Sequence, residues 1–67
     1  GRMDMTIRTD RYIYIFEFKF NSSADIALKQ IEDMGYADKF NDDSREVVCI
    51  GVNYCSKERN VNSWRIK

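Results

Sequence analysis

The sequence predicts a small α/β chain of the α+β kind, with elements in the order β-β-α-β-β and one helix on a mixed sheet. Two segments, 11–20 and 47–54, are apolar on both faces, as central covered strands are. Between them, Ala24, Ala27, Leu28, Ile31 and Met34 recur at helical spacing on one face. Two outer segments, 3–8 and 61–66, flank this unit as further strands.

The first strand sets Met3, Met5 and Ile7 against Asp4, Thr6 and Arg8, a half-buried alternation. Thr9, Asp10 and Arg11 make a short polar break, so the first two strands are expected to pair as an antiparallel hairpin. In the second strand Tyr12, Tyr14, Phe16, Phe18 and Phe20 share one face. The other face carries Ile13 and Ile15 and then turns to Glu17 and Lys19. Asn21, Ser22 and Ser23 end the strand. Ser22 with Asp25 resembles a capping box, and Ser23 is the alternative cap for a helix over 24–34. Gly35 either caps that helix or kinks it before a further turn through Phe40. Residues 41–44 form a surface loop and 56–60 a polar turn, and the last strand is expected nearer an edge.

At 67 residues the chain is one small domain, 43% hydrophobic and 33% charged, with no proline. A domain of this size buries only about 60% of its unfolded surface and is marginal by itself. No stretch approaches the roughly 20 apolar residues that span a bilayer, so no membrane partner is expected. If the segment between them is a strand, Cys49 and Cys55 lie about 20 Å apart, too far for a disulfide. Both read as free thiols, Cys49 within a core strand, and the compartment as reducing, hence cytoplasmic. With no histidine and two cysteines, the composition argues against a zinc cluster. Net charge is zero, which argues against strong nonspecific nucleic-acid binding. The charge is unevenly spread, however. Residues 25–46 hold seven acids and three bases, whereas 57–67 hold Lys57, Arg59, Arg65 and Lys67 against Glu58. These segments read as solvated faces or, for the basic end, as a phosphate-facing surface.

Glu17 and Lys19 are the unusual feature, because charges in a covered strand are costly unless paired or bound to something. They share a face, roughly 6–7 Å apart along the strand. A hairpin turn at 9–11 brings Asp4 opposite Phe16 or Glu17. Two carboxylates and a lysine would then converge, a set suited to a hard divalent cation and its waters. The same residues also admit plainer readings: Asp4 as a solvated strand-end acid, and Glu17 with Lys19 as an ion pair on the face.

Asp4, then twelve residues, then Glu17-Phe18-Lys19, resembles the active-site signature of the PD-(D/E)XK nuclease superfamily. The segments 14–19, 27–31, Gly35-Tyr36-Ala37 and 50–53 resemble one branch of it. That branch is found C-terminal to a predicted AAA-type ATPase domain in bacterial proteins. The resemblance implies a restriction-endonuclease-like core and metal-dependent hydrolysis of nucleic acid, DNA or possibly RNA. It implies Asp4, Glu17 and the backbone carbonyl of Phe18 as ligands of Mg2+ or Mn2+. Lys19 would position the attacking water, and Gln30 would face the site from the helix. The family core is αβββαβ, so residues 1–67 are expected to be a C-terminal fragment lacking the first helix, with Gly1-Arg2 native. Arg2 is expected beside Asp4, at phosphate or in a surface ion pair.

Two other functions compete with this one. The domain can be a noncatalytic module, binding nucleic acid or protein for an attached ATPase, or its charged pair can be purely structural. Tyr36 reads as a core or rim aromatic, and Trp64 as an edge-strand residue covering the core rather than a base-stacking platform. Without the first helix, the sheet face of Tyr12, Tyr14, Phe16, Val48, Ile50 and Val52 lacks cover. The isolated chain is therefore expected to form a homo-oligomer.

Overall fold

The computed structural model describes residues 3–67. Its elements are β1 (Met3–Arg8), β2 (Tyr12–Phe20), α1 (Ala24–Asp33), a 3-10 turn (Asp38–Phe40), β3 (Glu46–Cys55) and β4 (Asn60–Ile66). The four strands form one sheet in the order β1-β2-β3-β4. β1 and β2 pair antiparallel, β2 and β3 parallel, and β3 and β4 antiparallel with a bulge beside Asn53 and Tyr54. This is the expected α+β arrangement, consistent with a partial restriction-endonuclease-like core. Gly1 and Arg2 lie outside the described residues, and with them the expected role of Arg2. Among the described residues no helix is long and apolar enough to cross a membrane.

Local chemistry accounts for the boundaries. The β1–β2 turn closes on Thr9, whose backbone N donates to the Tyr12 carbonyl at 2.8 Å. The Thr9 hydroxyl accepts from the Tyr12 N–H at 3.0 Å. The cap of α1 is Ser23, which accepts from the Ile26 N–H at 3.1 Å. The capping-box reading of Ser22 is thereby corrected: its own N–H donates to Asn53 Oδ1, because the chain passes over β3 before turning into the helix. The helix ends at Asp33, one residue before the expected end, with Met34 as its C-cap. Gly35 then takes a positive φ of 65°. Its N–H reaches the Glu32 carbonyl and that of Tyr36 reaches Ile31, the paired bonds of a Schellman motif. The separate 3-10 turn supplies the further turn.

The crossover from β2 to β3 places α1 on the sheet face that carries Ile13, Ile15 and Glu17. Ile13, Ile15 and Ile31 form the buried core, with Leu28, Tyr36, Ala37, Phe40, Val47 and Cys49 packed against it. Each fully buried isoleucine contributes about 1.5–3 kcal/mol. Cys49 is half-buried rather than buried, because it lines a surface pocket with Ile31, Val47 and Lys67. Burial still pushes its thiol pKa up, and both cysteines are free.

Among the described residues no helix covers the opposite face. Met5, Ile7, Tyr12 and Phe20 are exposed there. Trp64 pairs across from Val52 on this open face and is 61% exposed. The expectation that it covers the core is thereby corrected, although Val52 between Phe18 and Trp64 is itself buried. The basic chain end has a structural use: Arg65 pairs with Asp25 at 3.2 Å and Lys67 with Glu32, joining β4 to one flank of α1.

The 41–45 loop is held by Arg45. Its side chain donates to both carboxylate oxygens of Asp43 at 2.9 and 2.7 Å, and to the Thr9 carbonyl at 3.2 Å. The side-chain bonds, followed by the Arg45 backbone N–H, pull the Asp43 pKa from its usual 3.8 to about 2. A depressed carboxyl pKa stabilises the fold fully above the unfolded value and progressively less as pH falls toward the folded one. We expect this contribution, small because the pair is only partly buried and screened by solvent, to fade between about pH 4 and 2. A carboxyl-carbon NMR titration checks it: Asp43 should titrate near 2 and return toward its usual value in Arg45→Gln.

Candidate metal centre

The β1–β2 register pairs Asp4 directly with Glu17, Thr6 with Ile15 and Arg8 with Ile13. Directly opposed residues share a sheet face, with Cβ atoms roughly 4.5–5.5 Å apart. Asp4 and Glu17 are therefore cross-strand neighbours on the face that α1 covers. Their exposures differ. Asp4 lies on an edge strand and is exposed, while Glu17 lies on a central strand and is 0% exposed. Lys19 follows one pleat further along β2 on the same face and is half-buried. Phe18 points its side chain to the open face, so its main chain bridges the Glu17 and Lys19 positions.

Burying a carboxylate costs several kcal/mol unless its surroundings compensate. One compensation is visible in the packing. Gly51 of β3 is the register partner of Glu17 on the other side. A Cβ at Gly51 would collide with the Ala24 carbonyl and stand 2.6 Å from the Leu28 backbone N. The first turns of α1 thus rest on β3 beside Glu17. The positive end of the helix dipole favours a negative charge there.

Asn53 is the second buried polar residue, 2% exposed, and it is the register partner of Lys19. It accepts from the Ser22 N–H at 2.9 Å and donates to Asn62 Oδ1 at 2.9 Å; Asn62 in turn donates to Glu58. This chain of bonds ties the start of α1 and the β4 bulge to the strand end that carries Lys19. Asn21 braces the same end through Ser56, with bonds of 2.9–3.1 Å.

Gln30 is half-buried. Asp25 and Glu32 occupy the α1 flank that meets β4. Helical geometry at 3.6 residues per turn puts Gln30 on the other flank, toward β2 and β1. The structure thus groups Asp4, Glu17 and Lys19 on one patch of sheet and leaves Gln30 on the helix beside that half of the sheet.

Two residues that the sequence did not assign to the site join this patch: Tyr36, expected as a core or rim aromatic, and Lys39. A cavity of about 160 Å³ is lined by Asp4, Thr6, Ile15, Tyr36 and Lys39. Tyr36 and Lys39 come from the segment after α1, which Gly35 turns back across the sheet. The only sequence signal for this was the helix-stopping glycine, and it says nothing about which strand the segment reaches.

The donor chemistry suits a hard cation. Among the described residues no group of three or more His, Cys, Asp or Glu side chains converges. Two carboxylates and a main-chain carbonyl leave room for several waters, the coordination that magnesium prefers.

Comparison with known proteins agrees with this geometry. A model of the PD-(D/E)XK nuclease superfamily matches residues 1–64. The chain is also similar to an uncharacterized protein in the vnfD 5′ region of Azotobacter chroococcum mcd 1. The two are 38% identical over a match that covers 91% of this chain and 12% of that relative. The chain thus spans only a small part of the relative's length. No solved structure matches the chain significantly. With a match that runs over nearly the whole sequence, and an acid set directly across from the glutamate of an E-x-K strand, this chain belongs to the PD-(D/E)XK nuclease superfamily.

Proposed function

We propose that the chain is a metal-dependent nuclease domain that hydrolyses phosphodiester bonds in nucleic acid, DNA first, within a larger ATPase-linked protein. The observation that carries this reading is the cross-strand pairing of exposed Asp4 with buried Glu17, with Lys19 one pleat away. Asp4, Glu17 and the Phe18 carbonyl would hold Mg2+ or Mn2+. A cation held there acidifies a bound water and neutralises charge on a phosphate oxygen. Lys19 orients that water and stabilises the negative charge that builds up as the phosphodiester is attacked. Gln30 would face the site from the α1 flank. The ATPase association is supported by the branch that the sequence resembles, and the greater length of the relative leaves room for such a domain.

The test is direct. Mn2+ titrated into the chain should raise its melting temperature, because a ligand that binds only the folded state stabilises it. At a hundredfold excess over Kd the gain is about 2.7 kcal/mol. Asp4→Asn should abolish the shift, since it removes the exposed carboxylate without touching the core. A noncatalytic module would show neither the shift nor metal-dependent cleavage of DNA by the longer protein. Either absence would end the proposal.

A further inference from the structure

Four of the described bases are taken up in ion pairs with acids: Lys29, Arg45, Arg65 and Lys67. Arg8 and Lys39 are not among them. Instead, both stand over the ring of Phe40, each 5.3 Å from its centre. Two cations share one ring, and their charges lie within twice that distance of each other. Asp43, the acid that senses Arg8 electrostatically, is already gripped by Arg45 on both oxygens. Arg8 and Lys39 therefore form a local positive centre on a chain of zero net charge.

The position of this centre decides its use. Arg8 lies in the same row of β1 as Thr6 and Asp4, about 13 Å from Asp4 along the strand. Lys39 lines the small cavity that also contains Asp4 and Thr6. Among the described residues β1 is the edge strand of the sheet, and Asp4, Arg8 and Lys39 are all exposed. A cationic pair leading along this row to two carboxylates is suited to a polyanion. Phosphates recur every ~3.4 Å of axis on each strand of a duplex, close enough for Arg8, Lys39 and the carboxylates to serve phosphates of one strand.

We propose that Arg8 and Lys39, mounted on Phe40, bind the phosphodiester backbone of a nucleic-acid strand and lead it along β1 to the Asp4–Glu17 centre. The inference rests on the nuclease reading for the identity of the centre. It names the binding surface that the reading leaves open. Arg8 and Lys39 act here as backbone contacts and carry no sequence preference.

The experiment measures binding of a short fluorescein-labelled oligothymidylate, and of the matching oligouridylate, by anisotropy across a salt series. Variants are Arg8→Gln, Lys39→Gln and the control Lys29→Gln on the outer face of α1. Each of the first two should weaken binding several-fold. Each should also flatten the slope of log K against log salt by about 0.7, the value for one phosphate contact on a single strand. Lys29→Gln should change neither. Binding of only the thymidylate or only the uridylate identifies the substrate sugar and leaves the contacts as proposed. Wild-type affinity and slope in both variants would overturn the inference, as would no binding by the wild-type chain. Mn2+ binding, followed by electron paramagnetic resonance on the same samples, should be unchanged in Arg8→Gln and Lys39→Gln. If Mn2+ binds while oligonucleotides ignore both substitutions, the surface is wrong and the metal centre stands. If oligonucleotides respond but Mn2+ does not bind, the nuclease reading fails by itself.

Discussion

Lys19→Ala is expected to lower metal-dependent cleavage by the protein carrying this domain by about 10²–10³-fold, the usual cost of removing one group that stabilises developing charge. The expectation follows from position. Lys19 is half-buried on the covered face, one pleat beyond Glu17. An ammonium partly removed from water interacts more strongly with developing negative charge than one on the open surface. Its removal should depress kcat with little change in metal affinity, because Asp4 and Glu17 remain. Glu17→Gln should behave differently and lose Mn2+ binding together with activity. Lys19→Arg should recover little, since a planar guanidinium does not replace the point charge of an ammonium. Cleavage at the wild-type rate by Lys19→Ala would remove the lysine from the mechanism.

Gly51→Ala is expected to be the most damaging single change to the fold. The added Cβ would meet two backbone atoms of α1, the Ala24 carbonyl O and the Leu28 N, and the Ala27 Cβ at 3.1 Å. Backbone atoms cannot rotate away as a flexible side chain can, so the helix must lift from β3. Core overpacking costs about 1–3 kcal/mol, occasionally more, and this case belongs at the upper end. A small domain has only about 5 kcal/mol to lose. At 4–8 °C per kcal/mol, thermal melts should show a fall of at least ~12 °C or the loss of a cooperative transition. Because Gly51 adjoins Glu17, the surviving folded fraction should also bind Mn2+ less tightly. An unchanged melt would mean that α1 does not rest on β3 as described.

Much of the chain was legible in its sequence because the relevant signals are local. Alternation along 12–20 put Ile13, Ile15 and Glu17 on one face without reference to anything distant, and burial follows that alternation. The apolar stripe of Ala24, Ala27, Leu28 and Ile31 similarly defined which side of α1 faces the sheet. The E-x-K spacing fixed the relation of Glu17 to Lys19 for the same reason.

Other features arise only when distant segments meet. The sequence left Asp4 opposite either Phe16 or Glu17, because a one-residue change in the hairpin turn exchanges the faces; the Thr9–Tyr12 closure selects Glu17. Serine chemistry allowed either Ser22 or Ser23 to cap α1, and the bond from the Ser22 N–H to Asn53 decided it. The uneven charge of the two chain halves became meaningful once Arg65 and Lys67 were found on the acids of α1. Tyr36 and Lys39 reach the Asp4 cavity because the Schellman turn sends the chain back across the sheet, some thirty residues after β1 in sequence. Periodicity determined which face each residue takes within its own element. Only packing between elements decided which faces meet, since that depends on register, close backbone approach at Gly51 and charge pairing between residues remote in the chain.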